Sequence, residues 1–457
     1  MSSSAMGRHL FAVLSLLVFS RALVFQFFQP VTERGDAGLA GGGNVAPVIT
    51  QPEMFWVYIA IYLFTGALLL PRWRPVFSLL LREWCIALLL LLALLSTLWS
   101  VVPAETLTKS VALGACTLFG IYLALEYSLE QQAKLLAWTF SLLIFASLAM
   151  VFLFPHLGVM SDHHSGLWQG AFPHKNLLGK FMCLGATVFF ILAARGGLNR
   201  HYWLGFLASL MLLLLSSSKS ALLGFGTLFL SLGAYFYVFR RQKLAVAAML
   251  SGLVAFGSVV LQKEYKFYPS TPVNEVLHRL LCGQQHTEIC RALQTPAPDS
   301  ADMNTVSGRL ELWQGSWGKI QQHPWLGYGF GDFWRSDNPH AQEIWTAHAQ
   351  WKPKSSHNGF FDLWLELGLA GLFLFILSIV RSVSRGLHFL FPGEPFDSLN
   401  LFYPALLAGI LLLSLTEGDL VEANFSPWIL VVMITFSIIS CDKNSFESKR
   451  RQTGNSK

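Results

Sequence analysis

The sequence predicts an all-α, polytopic membrane protein of about 12 transmembrane helices, with a large outer loop subdomain between helices 9 and 10. Three observations predict it. Charged residues make up 13% of the 457 residues and hydrophobic residues 53%, with a mean hydropathy of +0.49. The apolar residues are gathered into blocks near the roughly 20 residues that cross a bilayer. The cations fall mainly in alternate connections between those blocks. A soluble globular domain carries about 25% charged residues, so an ordinary soluble enzyme is excluded, and so is a disordered chain.

The blocks lie at 9–28, 54–71, 84–99, 107–127, 135–155, 175–195, 201–217, 219–239, 243–261, 358–381, 400–416 and 424–440. Each is apolar all round and does not alternate, which argues against an outer-membrane barrel. The first follows Arg8 as a signal peptide would. No small-residue cleavage pattern follows it, since Gln26, Phe27, Phe28, Gln29 and Pro30 come next, so it reads as a first span. The units predicted are spans 1–9 over 1–261, the loop over 262–357, spans 10–12 over 358–440 and a tail over 441–457.

Charge sets the orientation. With the N-terminus inside, the inner connections hold 17 cations, among them Arg8, Arg72, Arg74, Arg82, Arg195, Arg381 and Arg385. The short outer segments hold 4: Arg34, Lys109, Lys175 and Lys219. Positive residues stay inside, and an even span count puts both termini there. Net charge is +10 inside and −4 in the short outer segments, while the long loop carries nine charges of each sign. The overall +6 and the pI near 9.0 therefore report orientation, and nucleic acid is not an expected partner.

No nucleotide or cofactor motif is present. Gly327, Gly329 and Gly331 form a glycine-rich turn without dinucleotide spacing, Gly179-Lys180 lacks the upstream glycine of a P-loop, and there is no His-Glu-x-x-His. Candidate residues are instead the cations on the wrong side. Lys109, Lys175 and Lys219 each open an outer helix end, where free N–H groups already favour anions. The bland alternative is snorkelling to the headgroups. Lys219 sits in Ser216-Ser217-Ser218-Lys219-Ser220, whose hydroxyls and ammonium suit phosphate oxygens. Lys175 follows Phe172-Pro173-His174 and precedes Asn176, and Lys180 lies one turn deeper. An ionisable residue there is costly unless functional or paired, with Asp362 or Glu366 as the expected partner.

In the outer loop, Leu310, Trp313, Trp317 and Ile320 recur at helical spacing, which predicts an amphipathic helix. Arg309 at its start has the planar fork to grip a diphosphate, or pairs with Glu311. His357 opens the tenth block, and Asn358, Asp362 and Glu366 follow on one helix face. That polar stripe is expected to face the bundle, and His357 is placed to move a proton near neutral pH. His163-His164 is a weak metal candidate. Glu417, Asp419 and Glu422 read first as a solvated acidic loop. Cys282 and Cys290 are a disulfide candidate on an oxidising outer side, whereas Cys85, Cys116, Cys183 and Cys441 read as packing residues.

Four segments resemble the O-antigen ligase and exopolysaccharide polymerase family of bacterial inner-membrane proteins: Gly170 to Gly179 (GAFPHKNLLG), Ser216 to Ala221 (SSSKSA), Gly308 to Trp313 with His323 to Gly331 (GRLELW, HPWLGYGFG), and His357 to Gly371 (HNGFFDLWLELGLAG). The twelve-span layout with its large periplasmic loop is similar too. The resemblance implies a glycosyltransferase taking a glycan from undecaprenyl diphosphate at the periplasmic face, needing neither nucleotide nor metal. The acceptor it implies is a lipid A-core sugar or a growing polysaccharide. By motif, Arg309 matches the arginine that holds the diphosphate and His357 the essential histidine. Lys219 falls where many members have Arg, which keeps the charge and loses the fork. Lys175, His174, Asn176, Asn358, Lys180 and Glu366 are the expected substrate-binding residues. The alternatives are a multi-span transporter, which would show broken spans in matching halves, and a non-catalytic scaffold of a polysaccharide export complex.

Overall fold

The computed structural model describes residues 3–22, 52–160, 166–281, 293, 306–331, 333–347, 352–391 and 397–454. His163, His164, Cys282 and Cys290 lie outside the described residues. Within them the chain is helical, and the one pairing of extended backbone is an isolated bridge between Val159 and Trp168.

Every predicted apolar block overlaps a helix. In order these are α1 (Ser3–Phe19), α2 (Pro52–Leu69), the short α3 (Trp73–Arg82), α4 (Trp84–Leu95), α5 (Pro103–Glu126), α6 (Leu129–Leu153), α7 (Lys175–Ala194), α8 (Tyr202–Ser216), α9 (Lys219–Val238) and α10 (Gln242–Glu264). The outer loop contributes α11 (Ser270–Leu281), α12 (Val306–Gln322) and α13 (Pro339–Ala347), followed by α14 (Gly359–Leu390), α15 (Phe402–Ser414) and α16 (Ser426–Gly454). Seven stretches among the described residues are long and apolar enough to cross a membrane unaided; α1, α4, α15 and the apolar part of α16 are shorter. The expected twelve spans are thus met by that measure only in part.

Two helices form the centre. Nearly every residue of α7 and of the segment 426–439 is buried, which is why these blocks are apolar on all faces. Around α7 pack α6, α8, α9 and α15, while α16 packs along α5 and α14. The sequence signals local boundaries well. Ser128 caps α6, its hydroxyl accepting from the Gln131 N–H while the Gln131 side chain accepts from the Ser128 N–H. Pro103 opens α5, where its missing N–H costs nothing.

The tenth block is one helix in name and two in geometry. Gly368 breaks α14 with φ 67°, ψ −171°. A break frees backbone groups that a membrane interior leaves unsatisfied. The glycine-rich segment of the outer loop satisfies them. Tyr328 and Gly329 donate to the carbonyls of Leu365 and Glu366 (both 2.9 Å), and Leu369 and Ala370 donate to those of Pro324 and Trp325 (2.8 and 3.2 Å). A Cβ on Gly327 would sit 2.5 Å from the Leu365 carbonyl oxygen, and one on Gly368 would collide with Trp325. The other side of this segment is held by the bundle: the Phe330 N–H donates to Ser96 Oγ (3.0 Å), and the Lys109 ammonium donates to the Gly331 carbonyl. Lys109 is therefore a strut for the loop. Among the described residues no other helix carries an internal non-helical residue of this kind.

The helical-spacing reading of α12 needs correction. Its buried face is Leu312, Ser316, Lys319 and Ile320, which joins Tyr328, Phe333, Ile344 and Leu365 in a small second core. Leu310 and Trp317 point outward instead. Period alone does not fix the phase when Ser and Lys share the inner face: the Lys319 ammonium pairs with Glu343, so its charge is met where it is buried.

Gly368→Ala places a Cβ at positive φ against Trp325. Strain of this kind costs about 1–3 kcal/mol. We expect a lower thermal midpoint in detergent and faster proteolysis within 323–331, measured against Gly114→Ala, whose added Cβ meets nothing within 4 Å; an unchanged midpoint and cleavage rate contradict the stitched break.

Candidate functional site

The site is built by the segments that the motifs mark, meeting at the end of the bundle where α7, α9 and α14 begin. His174 is the N-cap of α7: its Nδ1 accepts from the Asn176 N–H (3.2 Å). Lys175 is buried at the first turn of α7. The turn between α8 and α9 reverses at Ser217 (φ 51°), and Ser218 Oγ donates to Asn176 Oδ1 (3.1 Å). Asn358 caps α14, its Oδ1 accepting from the N–H groups of Phe360 (3.0 Å) and Phe361 (3.2 Å). His357 is 2% exposed and sits at φ 53°. The flanking serines hold that strained backbone: Ser355 Oγ accepts from the His357 N–H (3.3 Å), and the Ser356 N–H donates to Asp362 Oδ1 (2.8 Å).

Glu417 gathers these pieces. It lies in the connection between α15 and α16 and is 8% exposed. Ser220 Oγ donates to its Oε1 (2.8 Å), Arg309 Nη2 lies 3.6 Å from the same oxygen, and His357 Nδ1 lies 3.7 Å from Oε2. Burial pushes the carboxyl up, but His357, Arg309 and the Ser220 hydroxyl outweigh it and hold the pKa down at about 2. Next to it, Asp419 pairs with the Lys180 ammonium, whose side chain is almost wholly buried. Lys180 also lies over the Phe425 ring at 5.5 Å, and Arg21 faces that ring at 4.6 Å while pairing with Glu422 at 2.7 Å. A small cavity lies between the two clusters, lined by Asn176, Leu177, Lys180, Ser355, His357, Glu417, Gly418 and Asp419. Gly418 is required there: a Cβ would sit 2.6 Å from Ser355 Oγ and would strike Asp362 Oδ2.

The structure thus brings His357, Asn176 and Lys180 around one cavity and Arg309 onto its carboxylate, with His174, Lys175 and Asn358 close to lining residues in the chain. Lys219 stands between Ser218 and Ser220 in the chain, half-buried at the first position of α9. It makes no ion pair among the described residues. Glu366 is half-buried near the break of α14, a turn away from Asp362, and its carbonyl accepts from Gly329. Three expectations are corrected. Glu417, Asp419 and Glu422 are not a solvated loop, because each meets a cation that is itself buried or half-buried. Lys180 pairs with Asp419, not with Asp362 or Glu366; Asp362 Oδ1 is occupied by Ser356 and by Trp334 Nε1 (2.8 Å). Arg309 reaches Glu417 in place of Glu311, because Trp313, one turn on, anchors α12 by donating to the Ser356 carbonyl (2.9 Å). The signal available for Glu417 was charge complementarity: several outer acids closing on wrong-side cations.

A helical membrane protein with a buried acid, base and cation cluster at one end of its bundle is the class that fold and site define. Residues 204–376 match the family described as O-antigen ligase. The match reaches from α8 into α14 and includes Lys219, Arg309 and His357. No curated protein matches the chain.

Burial and the neighbouring Lys175 lower the His174 pKa to about 3, with Glu417 opposing and His357 adding to the fall. An unfolded histidine titrates near 6.5. Between these values the unfolded chain binds the extra proton, so stability falls as pH drops from about 6.5 toward 3. His174→Asn keeps a capping acceptor and removes the titration. We expect its melting midpoint to fall less than wild type's between pH 6.5 and 4.5; parallel profiles contradict a buried neutral His174.

Proposed function

We propose that this protein is a periplasmic-face glycosyltransferase of the bacterial inner membrane that moves a glycan from undecaprenyl diphosphate to a sugar hydroxyl on lipid A-core or a growing polysaccharide. The observation that carries the reading is the Glu417 cluster: a base and a guanidinium share one buried carboxylate beside a cavity. The family match over 204–376 supports the class of reaction. Ion pairing supports the orientation. Arg8 and Arg72 both meet Glu126, Arg381 and Arg385 both meet Glu83, and Arg195 meets Asp397, so residues read as inner pair with one another. Arg335 pairs with Glu105 and Arg309 with Glu417 on the other side. Both termini are then cytoplasmic.

In this reading His357 accepts the proton of the acceptor hydroxyl, whose oxygen attacks the anomeric carbon as the bond to the diphosphate breaks. Glu417 stabilises the imidazolium that forms, as a carboxylate does beside a catalytic histidine. The departing diphosphate gains negative charge and needs fixed cations. Arg309 has a buried Nε with no hydrogen-bond partner among the described residues, so its fork retains a donor for a phosphate oxygen. Lys219, with no acidic partner among the described residues, supplies a second charge, and Lys175 adds to the field. Side-chain cations do the work a metal does elsewhere, and attack from the face opposite the leaving group inverts the anomeric centre. The described part of the outer loop, held by Lys109 and by the break in α14, carries Arg309 to the site, and in this reading it limits water as a competing acceptor.

The test is glycan transfer by purified protein supplied with lipid-linked donor and acceptor. Loss of a general base costs about 10²–10⁴-fold in rate, which is the drop expected for His357→Ala. Arg309→Lys is expected to fall nearly as far as Arg309→Ala because the fork is lost, while Lys219→Arg is expected to retain transfer and Lys219→Ala to lose it. Full transfer by both His357→Ala and Arg309→Ala removes the assignment.

A further inference from the structure

The helix α3, ten residues between α2 and α4, carries three distinct stripes. Val76 and Leu79 are buried, and the helix packs on α4 and α16. Trp73, Phe77 and Leu81, at four-residue spacing, are each more than half exposed. Arg74, Ser78 and Arg82, also at four-residue spacing, form the adjoining exposed stripe. Residues four apart share a helix face, so an apolar band and a cationic band run side by side along the same short helix.

Both ends of α3 are pinned at one level of the bundle. At its start Arg72 pairs with Glu126, the last residue of α5, at 2.7 Å. At its end Glu83, which is fully buried, pairs with Arg385 at 2.8 Å and Arg381 at 3.6 Å, and the Arg82 carbonyl accepts from Arg381 (3.0 Å). Those partners are the ends of α5 and α14 farthest from His357. Although Met54–Arg82 is one apolar helical stretch, the backbone leaves helical geometry at Arg72 (φ −111°, ψ 22°), so α3 is a separate helix from α2 with both ends tied to that end of the bundle. Its apolar stripe extends the exposed apolar surface of its neighbours, with Leu63 and Leu70 before it and Trp84, Leu88 and Leu91 after it.

We propose that α3 lies in the plane of the leaflet opposite the His357 site and binds acidic phospholipid there. Trp73, Phe77 and Leu81 enter the boundary between headgroups and acyl chains, and Arg74 and Arg82 hold the phosphate of an anionic headgroup. The occupant follows from charge: neither Arg74 nor Arg82 has an acidic partner among the described residues, although Arg74 stacks at 5.5 Å on Trp73. A cationic stripe beside an aromatic one is how a helix sits at a membrane interface. The binding rests on the orientation above only for the name of the leaflet, which is the cytoplasmic one, where acidic headgroups attract such segments.

Native mass spectrometry of the full chain in detergent tests this without glycan transfer, so its failure is separable from failure of the catalytic reading. Two arginines near anionic lipid are worth about thirty-fold in binding. Wild type is expected to hold its first phosphatidylglycerol about thirty-fold more tightly than phosphatidylcholine. Arg74→Gln with Arg82→Gln is expected to lose that preference, Arg74→Lys with Arg82→Lys to keep most of it, and Arg240→Gln with Arg241→Gln to leave it unchanged. Retained preference in the Gln pair, or its loss in the Arg240 and Arg241 pair, overturns the proposal. Displacement by inorganic phosphate would mean a free-anion site, and a change of oligomeric state in the Gln pair would mean a contact between copies; either result also overturns it.

Discussion

A carboxylate buried beneath the mouth of a membrane bundle has to be met by positive charge and hydrogen bonds, or it would take up a proton. Glu417 meets that requirement by collecting groups from four parts of the chain: Ser220 from α9, Arg309 from α12, His357 from the head of α14 and its own connection between α15 and α16. Because its carboxyl stays ionised down to about pH 2, it is a fixed negative charge at working pH. The carboxylate holds the His357 ring and the Arg309 guanidinium on its two oxygens.

The outer loop reaches this site because its backbone completes a helix that cannot complete itself. The break at Gly368 exposes carbonyl and amide groups on both sides, and residues 324–329 answer them in pairs. This explains why HPWLGYGFG and HNGFFDLWLELGLAG occur together in the sequence: each is the hydrogen-bond partner of the other. Trp364 Nε1 donating to the Pro324 carbonyl (3.0 Å) and Trp313 donating to the Ser356 carbonyl extend the same stitching toward His357. Held this way, residues 324–329 and the start of α14 share one hydrogen-bonded framework, and the backbone that carries His357 belongs to it.

Much of this was legible in the sequence. The apolar blocks and the helix starts at Lys175, Lys219 and Gly359 follow from periodicity and capping residues, which are local signals. Of the polar stripe Asn358, Asp362 and Glu366, Asp362 is buried and the other two are half-buried. What the sequence did not give away is pairing over long separations. Lys180 and Asp419 are 239 residues apart, and Arg309 and Glu417 more than a hundred. An acidic connection of eleven residues reads as solvated until the cations above it are known. The phase of α12 was misread for a related reason, since Lys319 is buried only because Glu343 is there to receive it.

The central claim is that Glu417 makes Arg309 and His357 work as one unit. A double-mutant cycle on the transfer rate, with melting midpoints as the folding control, tests it most directly: Glu417→Gln, Arg309→Gln and the double variant, then the same with His357→Gln. Residues that act as a unit lose activity non-additively. The account predicts that each double variant is scarcely slower than its slower single variant. Strictly multiplicative losses in both cycles, in proteins that melt like wild type, would contradict it.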